Sequence, residues 1–483
     1  MRRNNSLSAD LVAKLYSNEN KCMDLRRNML YDSRILYKER EMKKRYILPA
    51  AAVAAVVACA PVSCAPSENE PPPEPTYLSA LRVDGSRIYN AENREVTLRG
   101  VNAGGVCVIE QWMNGFKQSF DEESGIKCID HKTTTRVFEQ RFGREKTKKL
   151  WAEYRKNIWN ERDFRNCADI GMNVIRLPFT YMTVDFDAAF DYADAGKNYD
   201  FSVLDEFVAA AAEHGMYTIL DLHGAYGSQN GQDHSGEVLP AGEVGFYSDE
   251  RAIELTVKLW GAVADHFKDN TNIAGYDILN EPAEKIGANK TDVTSERHFK
   301  VFDRIYDEIR KNDGDGIVIF ESCWEGANLP RPSEYGWQNC MYSFHHYTNC
   351  TGGDRFAEHK SSWDNKLKGV DARNFGVPLY MGEFSCYTNE NQWDYSVSLM
   401  NSRGWHWTSW TYKINNSFGN TAWGIVRIDI TEDEKVNAHA DSYETILDKF
   451  ARLYTDDRTV KFVFENSGRT LFDKFKEYCG AER

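Results

Sequence analysis

Two glutamates stand where a chain could use them for acid–base and nucleophilic work. Glu281 closes the run Asp277-Ile278-Leu279-Asn280 and precedes Pro282, while Glu383 follows Pro378-Leu379-Tyr380-Met381-Gly382 and precedes Phe384. Each lies at the exit of a short apolar run bounded by turn residues, the pattern of a buried parallel strand. A carboxylic acid that protonates a leaving oxygen, with a carboxylate roughly 5 Å away that attacks the neighbouring carbon, is the equipment for splitting a glycosidic bond with retention. The two positions are 102 apart in the sequence, so the fold must bring them together. A (β/α)8 barrel would do this, because all its strand ends open on one face.

The elements such a barrel needs can be read from residue 77 onward. Residues 81–98 read as a hairpin turning at Asp84-Gly85 and leading into a first strand at 97–102. Further strand candidates lie at 173–178, 217–223, 274–281, 317–322, 341–347, 378–384 and 405–410. Helical periodicity separates several of them, over 161–170, 201–214, 250–268, 296–311 and 391–403. Eight strands with intervening helices and no internal repeat predict one α/β domain over 77–483, a single (β/α)8 barrel with long βα loops behind a short N-terminal hairpin. The connections 103–157, 224–248 and 411–438 are the long ones, and all three belong to the face where strand ends open.

Other residues share those strand ends. Arg176 lies inside the apolar run Asn173-Val174-Ile175-Arg176-Leu177-Pro178, and a buried charge there requires a partner. In Ser343-Phe344-His345-His346-Tyr347 the period of two sends His345 and Tyr347 to one face and His346 to the other. Asp221 and His223 flank Leu222 at the third strand's exit. Trp112, Trp324, Trp337 and Trp423 are candidate stacking platforms.

Composition limits the partners. Residues 1–46 hold 12 Lys/Arg against 6 Asp/Glu, leaving 47 against 67 in the rest of a chain whose net charge is −14. A body that acidic repels phosphate backbones, so nucleic acid is not an expected partner. Met42-Lys43-Lys44-Arg45-Tyr46 followed by the apolar stretch 47–58 reads as a signal peptide over 42–60, too short to span a bilayer. Val56-Val57-Ala58-Cys59 resembles a bacterial lipobox with Cys59 as the lipidated residue, which makes the expected location exported, membrane-anchored or periplasmic. Residues 1–41 would precede the true start at Met42, and the Pro- and Glu-rich stretch 61–76 reads as an extended linker. Export would permit disulfides, whose pairing the sequence does not specify.

With these strings in place, the chain resembles glycoside hydrolase family 5, and within it the exo-β-1,3-glucanases and their bacterial relatives. The likeness rests on Leu98-Arg99-Gly100-Val101-Asn102-Ala103-Gly104-Gly105, Ile109-Glu110-Gln111-Trp112-Met113, residues 171–178 and 222–236, Asn280-Glu281-Pro282, His345-x-Tyr347, Gly382-Glu383-Phe384 and Trp410-Thr411-Tyr412-Lys413, in that order. The resemblance implies Glu281 as acid/base and Glu383 as nucleophile. It implies Arg176, His223, Asn280, His345, Tyr347 and Trp410 as the rest of the active site, and Glu110 as a ligand to a hydroxyl of the terminal sugar. It further implies a monomeric enzyme acting on β-glucan or β-glucoside with no cofactor and no metal.

Two departures bear on specificity. Val106 stands where this string usually has Trp after the paired glycines, and Tyr226 stands where Pro is common, both expected near the sugar pocket. Alternatives to the exo-acting glycosidase are an endo-acting β-1,4-glucanase or mannanase of the same family, an inactive carbohydrate-binding lipoprotein, and a metal-dependent barrel hydrolase. Retention of both glutamates beside Arg176 and Asn280 argues against the inactive protein. The first strand lacks the His-x-His pair a metal barrel would use there.

Overall fold

The computed structural model describes residues 76–240, 244–285, 291–292, 295–348, 355–415 and 423–480. The expected upstream segment 1–41, the signal segment 42–60 and the linker up to residue 75 lie outside the described residues. Among the described residues no helix is long and apolar enough to cross a membrane.

Eight parallel strands close into a barrel: β1 (Arg99–Asn102), β2 (Val174–Thr180), β3 (Tyr217–Gly224), β4 (Ile273–Asp277), β5 (Val318–Glu321), β6 (Cys340–Tyr347), β7 (Leu379–Ser385) and β8 (His406–Ser409), with β8 returning to β1. β2 and β3 are buried along their whole length, as strands covered on both faces must be. Gly100 lets β1 lie against β2, since a Cβ there would sit 1.8 Å from the carbonyl oxygen of Val174. Helices Glu161–Ile170, Ser202–Glu213, Glu250–Phe267, Glu296–Asn312, Phe356–Arg373 and Glu390–Arg403 cover the outside, while after β5 the crossover helix shrinks to the single turn Pro332–Tyr335. Their ends follow local chemistry: Asn160 and Asp163 form a capping box at the start of Glu161–Ile170, and Gly171 ends it at φ 88°. The C-terminal helix Leu471–Cys479 completes the ring, with Phe475 packed on Trp393 and Trp407.

The hairpin Leu81–Asp84/Arg87–Asn90 turns at Gly85, φ 57°, and forms the barrel's floor. Leu81, Val83, Ile88, Val96 and Leu98 pack onto the inward side chains Val174, Tyr217, Ile219, Ile317, Ile319, Met341 and Tyr380. Hydrogen bonds fasten it to the strand starts. Val83 N donates to Asn339 Oδ1 at 2.8 Å, Tyr217 Oη to Ser79 O at 2.6 Å, and Leu78 N to Asn272 Oδ1 at 2.8 Å.

Three observations differ from the sequence reading. The connection after β1 is not a plain loop but carries two helices, His131–Phe142 and Arg144–Ile158, hinged at Gly143. The helix Phe356–Arg373 escapes the periodicity test because its buried face includes His359 and Lys366 beside Trp363 and Val370. The fourth strand ends at Asp277, so Asn280 and Glu281 belong to the turn beyond it.

Candidate active site

Above the apolar floor the barrel interior turns polar. Alternation along the strands aims Asn102 (β1), Arg176 (β2), Asp221 (β3), Asp277 (β4), Glu321 (β5) and His345 (β6) inward, all of them 0% exposed. Arg176 is the common partner of all the others except His345. Its Nε meets Asp277 Oδ2 at 2.9 Å, Nη1 meets Glu383 Oε1 at 2.8 Å, and Nη2 meets Asp221 Oδ1 at 3.1 Å and Glu321 Oε2 at 3.4 Å. Nη1 and Nη2 also donate to Asn102 Oδ1 at 3.0 Å and Asn280 Oδ1 at 2.9 Å. A buried guanidinium is tolerated only when its donors are satisfied in this way.

Glu383 reaches this layer through a β-bulge. Strict alternation from inward Tyr380 would turn residue 383 toward the helices. The register of β6 with β7 instead jumps from Phe344↔Met381 to His345↔Glu383, making Gly382 the extra residue. The phase resets, Glu383 points inward, and Phe384 packs outside on Trp393 and Trp407. Only glycine fits at the bulge, because a Cβ on residue 382 would lie 2.6 Å from Ser343 Oγ and 3.1 Å from His345 Nε2. Glu383 Oε2 accepts from Tyr347 Oη at 2.8 Å, so both of its oxygens are held.

Glu281 is held by its backbone. Its φ of 41° is a left-handed conformation that costs a non-glycine residue on the order of 1–3 kcal/mol. Its N–H donates to Glu321 Oε1 at 2.7 Å, which helps to maintain that conformation. Its Oε1 lies 2.9 Å from His345 Nδ1, and the same nitrogen lies 3.5 Å from Glu383 Oε2. One ligand atom each from Glu281, His345 and Glu383 fall within 4.8 Å of one another. Such a set could hold a divalent cation, but here the three groups already satisfy each other.

Over this pair opens a cavity of about 390 Å³ lined by Glu110, Trp112, His223, Gln232, His234, Asn280, Glu281, Trp324, Tyr347, Glu383, Tyr387, Trp410 and Trp423. All nine residues singled out from the sequence come together here, in two tiers. Glu110, His223, Asn280, Glu281, Tyr347, Glu383 and Trp410 face the cavity, whereas Arg176 and His345 lie beneath it against the carboxylates of Glu383 and Glu281. Trp410, followed by a cis peptide to Thr411, stacks on His223 at 5.2 Å between ring centroids, nearly parallel at 8°. Trp112 and Tyr387 pack against Trp423, and Tyr347 lies between Trp423 and Trp324.

Several expectations are corrected. Trp337 is no platform: it is buried against Phe320, 3.9 Å between rings. Val106 and Tyr226 do not border this cavity. Val106 faces a separate cavity on the barrel's flank, and Tyr226 is buried, stacked on Tyr181 with its hydroxyl donating to Asp185 at 2.5 Å. The sequence reading also passed over Asp277, Glu321, His234, Gln232 and Tyr387. Asp277 and Glu321 carried a usable signal, each a lone acid in an apolar strand at an inward-phase position, the argument already applied to Arg176.

Burial sets the titration of the layer. It pushes Asp277 up to about 7, and raises Asp221 and Glu321, against the lowering pull of Arg176 and of His345. Burial alone would lower His345, yet Glu321 and Glu383 raise it well above an ordinary imidazole, so it serves as the second cation of the layer. His223 is driven well below the ordinary value by burial and stays neutral. Its Nδ1 donates to Asp221 Oδ2 at 2.7 Å, leaving Nε2 to accept from Asn280 Nδ2 at 3.3 Å.

Against known proteins, the model of the cellulase family, glycosyl hydrolase family 5, matches residues 133–416. A beta-xylosidase of Phanerodontia chrysosporium is 26% identical over 363 residues, spanning 70% of this chain and 71% of the relative. A probable glucan 1,3-beta-glucosidase A of Emericella nidulans is 30% identical over 260 residues, 53% of this chain and 58% of the relative, so the chain spans little more than half of that protein. The crystal structure of AoRut is similar in fold, with a TM-score of 0.52 at 18% identity over 66% of this chain and 89% of the other.

Glu110 offers a test of the cavity's electrostatics. Its carboxyl is pushed up to about 8 by burial and then by Asp233, while Oε2 accepts from Trp112 Nε1 at 2.6 Å. The folded state therefore holds this proton more tightly than the unfolded chain does. Stability is lost as pH rises from the ordinary Glu value of 4.5 through about 8. Glu110→Gln keeps the acceptor for Trp112 and removes the titration. Its Tm should approach wild type at about pH 4 and exceed it at about pH 9 by the equivalent of a few kcal/mol. A constant offset at both pH values would contradict this account.

Proposed function

The chain belongs to glycosyl hydrolase family 5, and from that premise we propose that it is a retaining β-glycosidase that removes the terminal sugar from β-glucans or β-glucosides. The observation that carries this reading is the pair Glu281 and Glu383, with ligand oxygens within 4.8 Å of each other. Retaining enzymes hold their carboxyls roughly 5–5.5 Å apart, whereas inverting enzymes leave about 6.5–9.5 Å for a water.

In this mechanism Glu281 gives its proton to the glycosidic oxygen while Glu383 attacks the anomeric carbon, so the leaving group departs neutral and a glycosyl ester forms on Glu383. Glu281, now a carboxylate, takes a proton from water, and the resulting hydroxide equivalent displaces Glu383 with a second inversion. Arg176 and Tyr347 hold Glu383 for in-line attack. Asn280 is fixed by Arg176 through its Oδ1 and gives one Nδ2 hydrogen to His223, and its second Nδ2 hydrogen is directed to the sugar's 2-hydroxyl. Trp410 presents a ring face to the sugar's C–H surface. The names of the relatives, a glucan 1,3-beta-glucosidase and a beta-xylosidase, favour a β-linked substrate.

Removal of a single sugar is supported by the loops. The connection after β1 contributes Glu110 and Trp112 to the cavity, that after β3 Gln232 and His234, and that after β8 Trp423. Export through 42–60 with a lipid on Cys59 is part of the same proposal and rests on the sequence.

Four measurements test it. Proton NMR of early product should show the β anomer. Glu281→Ala should spare activated aryl glycosides, the more so with azide, while losing about 100-fold or more on poor leaving groups, and Glu383→Ala should lose both. Early digestion of laminarin should release glucose alone, and a ladder of oligosaccharides with falling viscosity would mean an endo-acting groove. The mature protein from a bacterial host should begin at Cys59 with an acyl mass increment, and an intact residue 42 would refute the export reading.

A further inference from the structure

The helix Phe356–Arg373, outside the barrel, buries a lysine that no step of the proposed reaction uses. Lys366 is 4% exposed, and a buried ammonium needs partners for its protons. Its Nζ donates to the carbonyl of Trp324 and lies 3.5 Å from Glu325 Oε1 and 5.4 Å from the ring centroid of Phe344. The carbonyl it holds belongs to a backbone that departs from regular geometry. Cys323, the residue before, has φ 63°, and Trp324 N donates back to Ser322 O at 2.9 Å, a γ-turn of the rare positive-φ form. Cys323 O accepts from His345 N at 2.6 Å, which ties the same turn to β6. The chain leaving β5 is thus folded back on itself and braced from two sides, and the side chain it presents to the cavity is Trp324.

The place of that ring follows from the roles of the two glutamates. Glu383 attacks the sugar that is cut off, so that sugar sits over Glu383. Glu281 protonates the oxygen that departs, so the leaving group extends past Glu281. Trp112, Tyr387 and Trp423 form one aromatic group, which meets Tyr347 at 5.4 Å, and Trp324 stands on the other side of Tyr347 at 6.3 Å and 72°. β5, whose exit carries Trp324, pairs directly with β4, whose exit carries Glu281. We propose that Trp324 is the platform for the leaving-group sugar and that Lys366 is the positioning residue that fixes it, an inference that rests on the reading of Glu281 as the acid/base. The indole face meets the C–H surface of the second sugar unit. Lys366 touches neither sugar nor glutamate. It acts through the Trp324 carbonyl by keeping the γ-turn from relaxing, so the ring is already in place when substrate arrives and less ordering is left to binding.

Calorimetry on the Glu383→Gln protein, where no glycosyl ester forms, separates the two sugars of a substrate. Laminaribiose spans the bond to be cut, whereas glucose fills the terminal pocket alone. Adding Trp324→Ala should weaken laminaribiose about tenfold and leave glucose unchanged. Lys366→Met keeps the apolar stem, removes the ammonium and should weaken laminaribiose in the same direction, while Lys366→Arg, which keeps a buried donor, should restore most of the affinity. Because Lys366 works through Trp324, adding Lys366→Met to Trp324→Ala should cost nothing further. In the active enzyme both single variants should raise KM for laminaribiose more than they lower kcat. Equal losses on glucose and laminaribiose, or additive losses in the double variant, would mean a merely structural lysine and overturn the proposal. Should Lys366→Met fail to fold, Trp324→Ala still decides, since an unchanged laminaribiose affinity there removes the platform. A Glu383→Gln protein that binds neither sugar would sink the proposed function and the platform with it, whereas binding of both with no discrimination by Trp324→Ala would sink the platform alone.

Discussion

A guanidinium with no access to water is the constraint around which this barrel is arranged. Moving such an ion out of water costs several kcal/mol even after relaxation, and one partner does not offset that. Arg176 therefore draws on the ends of five strands or the turns beyond them: Asn102, Asp221, Asp277, Asn280, Glu321 and Glu383. Each contact is a distance restraint between β2 and another strand, so one side chain fixes the relative heights of the strand ends. The same contacts leave an excess of carboxylates over cations in a dry layer. His345, held charged by Glu321 and Glu383, reduces that excess, and the raised titration of Asp221, Asp277 and Glu321 absorbs more of it.

Two local departures from regular geometry then convert a stabilising layer into a reactive one. The bulge at Gly382 rotates Glu383 from the helix side to the mouth, and the left-handed backbone at Glu281 turns its carboxyl back over β4. Neither would persist alone. Both are held by Glu321 and His345: Glu321 accepts the Glu281 N–H, and His345 bridges the two carboxyls. Strain and its support thus lie within one hydrogen-bonded cluster, which is the arrangement expected of a preorganised site.

Much of this was legible from residue types. Strands buried on both faces announce themselves as apolar runs, and a charge inside one, such as Arg176, demands partners even before they are known. The phase of His345, His346 and Tyr347 could be read because β6 has no bulge of its own. His346 does pack outward, 4.4 Å from Trp363. The phase of Glu383 could not be read by the same rule, since a one-residue bulge reverses every later prediction. The two helices after β1 were missed although Leu150, Trp151, Tyr154 and Ile158 have helical spacing. A connection that follows a strand invites reading as a loop, and the preceding helix buries His131, Thr134 and Thr135 among its apolar residues. Loop contributions to the cavity, such as Tyr387 and His234, depend on where a long connection folds back, which no periodicity encodes.

The hairpin at the barrel's floor determines how the domain can be held. Thr76 enters beside Asn272, whose Nδ2 takes its carbonyl at 2.8 Å, at the start of β4 and so at the end of the barrel remote from the cavity. Tension applied to the chain before residue 76 is taken up by the hairpin's hydrogen bonds to Asn272, Asn339 and Tyr217 rather than by any loop that lines the site. The end of the barrel that receives residue 76 and the end that opens on the cavity are therefore opposite, and no loop that lines the cavity takes part in the entry of the chain.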